Sequence, residues 1–337
     1  MAHQTLLLSR REVRECLDMP TSLEIVERVF RVHGEGRAIM PPKLELNLAE
    51  VADCPSKDAL LLAMPAYLGP MHAAGLKWAG IWRENPKRAL PYVMASVLLV
   101  DTNTGVLLAV MEGGYITDVR TGAATGVAVK CLAKKTAKAV AIIGAGRQGR
   151  MQIRALSCLL PIEDVRVMDV DPEVAKDFAA EIGKELGLSI RPTGRHQEAA
   201  EGADIIVTVT TAHEILVRRE WVSPGTFIAS VGSCPELDPQ ILFKADKVLV
   251  DSWAQNKSRG ELSELVEEGR FGERDLYGEV GEVVAGKKAG RENDQEIIVS
   301  CFMGLGSHDV GCAQYVYEEA KRRGIGTLFP FHQEILD

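Results

Sequence analysis

Several features that mark particular classes of protein are missing from this sequence. It has no basic cluster, and its 39 lysines and arginines are outnumbered by 47 aspartates and glutamates, giving a net charge of −8. Nucleic acids and anionic membranes attract basic surfaces, so neither is expected as the main partner. No apolar run reaches the roughly 18 residues of a membrane span. The start, Met1-Ala-His-Gln, is not typical of a signal peptide, and we expect a cytoplasmic protein.

Cysteine and metal-binding patterns are also sparse. The seven cysteines are odd in number and include no C-x-x-C pair, which is typical of reduced thiols in a cytosolic protein. There is no H-E-x-x-H segment and no cluster of cysteine with histidine, so no metal site is predicted. With 337 residues, 46% of them hydrophobic, the chain can form two domains with sizeable cores.

The segment that begins at residue 139 has the pattern of a dinucleotide-binding turn. The apolar residues 139–143 predict a buried strand, and Gly144, Gly146 and Gly149 follow with G-x-G-x-x-G spacing before a helical pattern. Such glycines permit a sharp turn, close approach of a pyrophosphate and close helix packing. A second predicted strand ends in Asp169, roughly 25 residues further on, where a carboxylate can bind an adenosine ribose. The alternative is a glycine-rich turn without a ligand.

The remaining pattern divides the chain into two regions. Up to about residue 115, helical segments precede alternating strands, which predicts an α+β unit with an antiparallel sheet. From the glycine motif onward, buried strands alternate with helices, as in a doubly wound parallel sheet. We therefore predict an α/β protein. An α+β domain comprises residues 1–118 with 305–337, and a Rossmann-type dinucleotide-binding domain comprises residues 119–304.

Three basic residues are candidates for chemistry, two in the first domain and one on the helix that connects it to the second. Lys77 lies between Leu76 and Trp78 in a predicted strand. Partial desolvation there would lower its pKa and suit it to acid/base work or to polarising a carbonyl. Arg120, on the helix that leads to the second domain, could clamp a carboxylate through two hydrogen bonds, and Lys43 could be a second carboxylate contact. The simpler alternatives are a surface lysine, a solvated helix charge and an edge-strand charge.

Taken together, the motifs of this chain resemble those of the ornithine cyclodeaminase/mu-crystallin family, which includes archaeal-type alanine dehydrogenases and ketimine reductases. The resemblance covers nearly the whole chain. It rests on Met40-Pro-Pro-Lys43, Met64-Pro-Ala-Tyr67, Gly75-Leu-Lys77, Asn85-Pro86 with Leu90-Pro91, Ile116-Thr-Asp-Val-Arg-Thr-Gly122, Gly144-Ala-Gly-Arg-Gln148, Asp169-Val-Asp-Pro172 and Glu236-Leu-Asp-Pro239.

The resemblance implies a homodimer joined through the first domain, which also binds the substrate. It further implies NAD(H) or NADP(H) as cofactor and chemistry at the α-carbon of an amino acid. Lys77 matches the family's catalytic lysine, Arg120 its substrate-carboxylate arginine, and Lys43 a carboxylate-binding position that is arginine in the cyclodeaminases. Cofactor contacts are implied for the glycine-rich segment with Arg147 and Gln148, for Asp169 and for Thr210.

One loop departs from the family pattern. The cyclodeaminases carry an aspartate after the strand predicted at 226–231, whereas Val231-Gly-Ser-Cys-Pro-Glu-Leu-Asp238 is shorter and lacks it. Glu236 and Asp238 are expected to stay on the rim of this loop.

These observations predict an oxidoreductase that interconverts a small amino acid and its imino or 2-oxo acid, as an alanine dehydrogenase or ketimine reductase would. NAD is expected over NADP because Asp169 would repel a 2′-phosphate. Ornithine cyclodeaminase and a non-catalytic NAD(P)-binding protein are the alternatives.

Overall fold

The computed structural model describes residues 4–51, 53, 54, 56 and 59–331, and two units can be distinguished in it. Unit 1 comprises residues 1–32, 36–120 and 305–337, and unit 2 comprises residues 33–35 and 121–304. None of the helices in the described ranges combines the length and hydropathy needed to cross a membrane.

Sixteen strands and eleven helices are found in the described residues. The strands are β1 (Thr5–Leu8), β2 (Ala38–Ile39), β3 (Leu44–Asn47), β4 (Ala59–Leu68), β5 (Ala73–Trp82), β6 (Val93–Val100), β7 (Leu107–Glu112), β8 (Ala139–Ile143), β9 (Asp164–Met168), β10 (Ile190–Pro192), β11 (Ile205–Thr208), β12 (Phe227–Ser230), β13 (Lys247–Val250), β14 (Gly278–Glu279), β15 (Ile298–Cys301) and β16 (Thr327–Phe329). The helices are α1 (Arg10–Cys16), α2 (Met19–Gly34), α3 (Gly113–Leu132), α4 (Arg147–Ser157), α5 (Pro172–Leu186), α6 (His196–Ala200), α7 (Pro239–Lys244), α8 (Trp253–Asn256), α9 (Ser263–Glu267), α10 (Val280–Val284) and α11 (Gly306–Arg323).

Unit 1 is built around an eight-stranded mixed sheet. Its order is β16-β1-β7-β6-β5-β4-β2, and β3 pairs with β4 beside β2. Only the β1–β7 pair is parallel among these described strands, and the others are antiparallel. The sequence pattern did not indicate β1, β2 or β16, because each has four residues or fewer and shows no clear alternation.

One face of this sheet is covered by α11, which packs on β4, β5 and β6. Along β5, Lys77 and Ala79 are buried on that face, while Trp78 between them points to the other side and is exposed. Gly306 permits close packing, since a Cβ there would lie 2.7 Å from the carbonyl oxygen of Met64. The helix-covered face therefore holds a lysine inside an otherwise apolar layer.

The opposite face of the same sheet is apolar but open. The pairing places Leu44, Ala63 and Trp78 in one row across β3, β4 and β5. The neighbouring row runs from Leu46 on β3 to Met94 on β6. In these rows the side chains of Leu44, Leu46, Trp78 and Met94 are exposed in the single chain, and Leu61 is half-buried.

Unit 2 contains an eight-stranded sheet in which all neighbouring strands are parallel. The order is β10-β9-β8-β11-β12-β15-β13-β14. The chain leaves β8 toward β9 and β10, then returns to the other side of β8 as β11. Such a reversal opens a crevice at the carboxyl ends of the two strands, where doubly wound sheets bind ligands. The predicted α/β class, with a Rossmann-type sheet and an α+β unit, is confirmed.

Candidate functional site

The glycine turn of unit 2 lies at this crevice, between β8 and α4. Gly144 has φ +108°, a conformation that favours glycine. A Cβ on Gly149 would collide with the carbonyl oxygen of Gly144, so the third glycine is needed for packing of the turn. Gly146 caps α4, and nothing lies within 4 Å of the position of its Cβ. The backbone is therefore open to a phosphate beside the positive end of an eleven-residue helix.

Asp169 follows β9 and is tied directly to the glycine turn. One carboxylate oxygen, Oδ2, accepts a hydrogen bond of 2.7 Å from the Ala145 N–H, and Oδ1 accepts one of 3.1 Å from the Asp171 N–H. Each oxygen keeps a second lone pair, which allows further bonds from ribose hydroxyls. The fold thus holds this carboxylate at the edge where the adenosine half of a dinucleotide would lie.

The basic residues near the turn differ in their surroundings. Arg150 bonds to the carbonyl oxygen of Ala145, lies 3.3 Å from Glu181 and packs over the ring of Phe178. Arg147 is the exposed first residue of α4. Arg150 therefore joins α4 to α5, and its charge is already compensated by a carboxylate.

Thr210 lies just beyond β11 and is held by a buried acid. The N–H and hydroxyl of Thr210 both donate to Glu236 Oε1, the former at 3.0 Å. The Thr210 hydroxyl also accepts a bond from the Ala212 N–H. Burial raises the pKa of Glu236. The expectation that Glu236 stays on the rim is wrong, and Asp238 caps α7 through the Gln240 N–H.

The loop turns inward because it bonds to Glu261, a residue that no pattern in the sequence indicated. Its carboxylate accepts bonds from the Glu236 and Leu237 N–H groups, each 3.0 Å long, and from the Ser230 hydroxyl. Burial raises the pKa of Glu261 to about 7. These bonds hold Glu236 and Leu237 of the 231–238 loop against the Glu261 carboxyl group, and both residues are buried.

In unit 1, two of the three predicted basic residues meet at a single carboxylate. Lys77 Nζ lies 3.3 Å and Arg120 Nε lies 3.1 Å from the same oxygen, Oδ1 of Asp309. All three residues are at most 5% exposed. Lys43 is half-buried one residue before β3, and extension of the β3–β4 pairing places it in the row of Met64 and Lys77.

The cluster of Lys77, Arg120 and Asp309 has one more positive than negative charge. Burial lowers the pKa of Lys77 to about 8, an effect that Asp309 opposes and Arg120 reinforces. Arg120 Nη1 and Asp309 Oδ2 are buried and have no hydrogen-bond partner among the described residues. Because a buried unpaired donor is costly, the cluster is suited to receive an anion at Arg120.

Asp309 was missed at the sequence level, although a signal was present. Helix α11 buries Val310, Ala313, Val316 and Ala320, which recur at helical spacing in the sequence. Asp309 lies four residues before Ala313, so it shares the apolar face of that helix. A carboxylate on the apolar face of a helix requires a buried cation or hydrogen-bond donor. The position of Asp309 in the sequence therefore already indicated a buried basic partner.

The chain is similar to several known proteins over almost its whole length. The chain is 39% identical over 333 residues to the alanine dehydrogenase of Archaeoglobus fulgidus, covering 97% of this chain and 99% of that protein. It superposes with a TM-score of 0.90 on Thermococcus litoralis Δ1-pyrroline-2-carboxylate reductase in complex with NADH and L-proline, at 39% identity, covering 96% of this chain and 99% of the other. An archaeal alanine dehydrogenase dimer with bound NAD gives a TM-score of 0.91 at 38% identity, covering 97% and 99% of the two chains.

The model of one protein family matches residues 3–324, which is nearly the whole chain. This confirms the resemblance drawn from the motifs: the chain belongs to the ornithine cyclodeaminase/mu-crystallin family.

Proposed function

We propose that the protein is an NAD(H)-dependent oxidoreductase that interconverts a small amino acid and its imino or 2-oxo acid. The observation that carries this proposal is the buried cluster of unit 1, in which Lys77 and Arg120 share Asp309 and one arginine nitrogen has no partner among the described residues. The relatives support it, since one is an alanine dehydrogenase and another is a pyrroline-2-carboxylate reductase.

Arg120 binds the α-carboxylate of the substrate in this proposal. Its Nε is held by Asp309, which fixes the plane of the guanidinium, and Nη1 remains available as a donor. A bound carboxylate would balance the excess positive charge of the cluster. We assign Lys43 as a second contact, from its place in the row of Lys77.

Lys77 supplies the proton. Its pKa of about 8 leaves the amine mostly protonated at pH 7, yet able to give up the proton without a large cost. In reduction, Lys77 donates to the nitrogen or oxygen of the C=N or C=O group, and in oxidation the neutral amine takes the proton back. When bound, the nicotinamide supplies or accepts the hydride at the α-carbon.

Unit 2 holds the cofactor, and its residues fit one. Gly144, Gly146 and Gly149 form an open cradle for the pyrophosphate, and Asp169 faces the adenosine ribose. The remaining proposed contacts are Arg147, Gln148 and Thr210. Unit 1 is the substrate-binding and dimerisation domain, and its open apolar face joins two copies. We place the protein in the cytoplasm, since none of its seven cysteines, all within the described ranges, forms a disulfide.

Absorbance at 340 nm tests the reaction. A panel of 2-oxo acids and cyclic imines is assayed with NADH or NADPH, with and without ammonia. A dehydrogenase or reductase changes the absorbance, whereas a binding protein does not. A cyclodeaminase, supplied separately with ornithine and catalytic NAD, releases ammonia without a net change in absorbance. If no member of the panel oxidises NADH, the proposal fails.

A paired substitution tests the carboxylate contact. Arg120→Met should raise KM for the active substrate by about 10- to 100-fold, the usual cost of a lost charged hydrogen bond. Arg11→Met removes an exposed arginine of α1 and should leave KM unchanged. An unchanged KM in the Arg120 variant would contradict the assignment.

A further inference from the structure

Asp309 forms ion pairs with both Lys77 and Arg120, and its side chain is completely buried. A single oxygen, Oδ1, receives both cations, and the Thr117 hydroxyl lies 3.5 Å from it. The second oxygen, Oδ2, has no hydrogen-bond partner in the described part of the chain. The two basic groups therefore share one carboxylate oxygen, so a change in the charge near one of them alters the electrostatic environment of the other.

Building on the proposed function, we propose that Asp309 is a positioning residue that couples Arg120 to Lys77, so that a carboxylate bound at Arg120 loads Lys77 with a proton. The substrate would thus charge its own proton donor before hydride transfer.

The groups that act on Lys77 come from two helices. Asp309 on α11 raises its proton affinity, while Arg120 on α3 lowers it and Asp118 on α3 raises it slightly. Asp118 is itself paired with Arg10 at 3.1 Å. The strand neighbours of Lys77 are apolar, since Met64 on β4 and Val97 on β6 are its partners in the sheet.

Two further titratable side chains of α11 flank Asp309. His308 is buried against the ring of Phe30, with ring centroids 4.5 Å apart. Burial raises the pKa of the Cys312 thiol beyond the physiological range, so it stays neutral. Burial therefore has the largest effect on the proton affinity of Lys77, and Asp309 and Arg120 are the charged groups that act on it most strongly.

A carboxylate at Arg120 would change this balance in one direction. Its negative charge compensates the guanidinium that now disfavours the ammonium form of Lys77, while Asp309 continues to favour it. The proton comes from the solvent as the ligand binds. In reduction, a bound cofactor would supply the hydride for the C–H bond. The C=N π pair would form an N–H bond with the proton of Lys77, and the neutral amine would then regain a proton from water.

Calorimetry measures the predicted proton directly. Pyruvate is titrated into protein saturated with NAD⁺, so that no turnover occurs, in buffers of different ionisation enthalpy. With a Lys77 pKa of about 8, we expect uptake of about half a proton per pyruvate at pH 8. Uptake should approach zero at pH 6, where Lys77 is already protonated. Lys77→Met should bind pyruvate without taking up a proton.

The role of Asp309 is tested by comparison with a second buried acid. Asp309→Asn should move the alkaline limb of kcat/KM to lower pH and raise KM, because both basic groups lose their shared partner. Asp118→Asn should shift the limb much less, since Asp118 pairs with Arg10. Thermal unfolding checks that each variant folds. If the Asp309 variant does not fold, the measurement of proton uptake by the wild type still tests the proposal.

The outcomes separate this inference from the proposed function. Pyruvate binding without proton uptake at pH 8 overturns the coupling, even if NADH is oxidised in the absorbance assay. Equal shifts in the Asp309 and Asp118 variants also overturn it. Absence of both pyruvate binding and NADH oxidation overturns the proposed function and, with it, this inference.

Discussion

Among single residues, Lys77 carries the proposed proton transfer. Lys77→Ala removes the donor, and loss of a positioned acid or base lowers kcat by about 10²- to 10⁴-fold. The Kd of NADH, measured by fluorescence titration, should change little because the glycine turn belongs to unit 2. Lys87→Ala is the matched control, since Lys87 is exposed and pairs with Glu84. Near wild-type kcat in the Lys77 variant would leave that residue without a catalytic role.

The pH dependence of the reaction follows from the same side chain. Burial lowers the pKa of Lys77 from 10.5 to about 8, and reduction requires the protonated form. The value of kcat/KM for reduction should therefore be constant well below pH 8 and fall about tenfold per unit well above it. Oxidation requires the neutral amine of Lys77, so kcat/KM for oxidation should rise with pH across pH 8. A reductive limb that begins near pH 10 would contradict the predicted desolvation.

Cofactor choice depends on another single residue, Asp169. Its negative charge should repel a 2′-phosphate, so the wild type is expected to prefer NADH over NADPH in kcat/KM. Asp169→Asn keeps an acceptor for the Ala145 N–H and removes the charge. The preference for NADH should then fall about tenfold or more, equivalent to about 1.4 kcal/mol. A clear NADPH preference in the wild type would refute the assignment.

How far these residues could be predicted depends on where their partners come from. The apolar neighbours Leu76 and Trp78 predicted desolvation of Lys77. In the structure Trp78 lies on the opposite, open face, so the burial of Lys77 comes from α11, which packs on β5. Its partner Asp309 lies on the far end of the chain, on α11, and the fold alone brings the two together. The sequence therefore predicted Lys77 and its lowered pKa. It did not identify Asp309, the acid that opposes this lowering.

At the level of elements, one substitution in the glycine turn should weaken cofactor binding without affecting folding. Gly146 has ordinary dihedral angles and open space around its Cβ position, so Gly146→Ala should fold normally. The added methyl group would occupy the cradle, and we expect at least a tenfold increase in the Kd of NADH. Gly194→Ala, another glycine with open space, should change neither property. Unchanged NADH affinity in the Gly146 variant would place the pyrophosphate elsewhere.

The 231–238 loop decides between the proposed reaction and its rival. Glu236 is buried under Thr210, and Asp238 is used to cap α7, so neither carboxylate is available to replace the family aspartate. Cyclodeamination needs proton traffic around the α-amine, whereas hydride transfer needs alignment and one donor. Ornithine with catalytic NAD should yield little proline, while an imino or 2-oxo acid oxidises NADH. Rapid proline formation would show that another carboxylate has taken that role.

Long elements were easier to predict than short ones, for a physical reason. β5 and β6 have ten and eight residues, enough to show the pattern that predicted an antiparallel sheet in this region, and the apolar run of β8 was equally clear. β1, β14 and β16 have two to four residues and owe their pairing to distant strands. The inward turn of Glu236 likewise depends on Glu261, which no local pattern connects to it.

Considered as a whole, the described part of the chain exposes a contiguous apolar surface on unit 1. Leu44, Leu46, Trp78 and Met94 form adjacent rows on the open face of the unit 1 sheet and are 40–62% exposed. Contiguous apolar patches of this kind are typical of interfaces, because water contact with them is unfavourable. The archaeal alanine dehydrogenase with a similar structure is a dimer. The proposed function assigns this surface to the contact between two copies of the chain.

The combined substitution Leu44→Glu with Met94→Glu tests this interface. Light scattering should give the wild type twice the chain mass of 36.7 kDa, and the variant a mass close to one chain. Each lost side chain removes about 1.5–3 kcal/mol of apolar burial, and each buried carboxylate adds a desolvation cost, so the dimer Kd should rise at least 10³-fold. Ile215→Glu, at an exposed apolar position in unit 2, should remain a dimer. A monomeric wild type, or a double variant that stays dimeric, would show that the open sheet face does not join two chains.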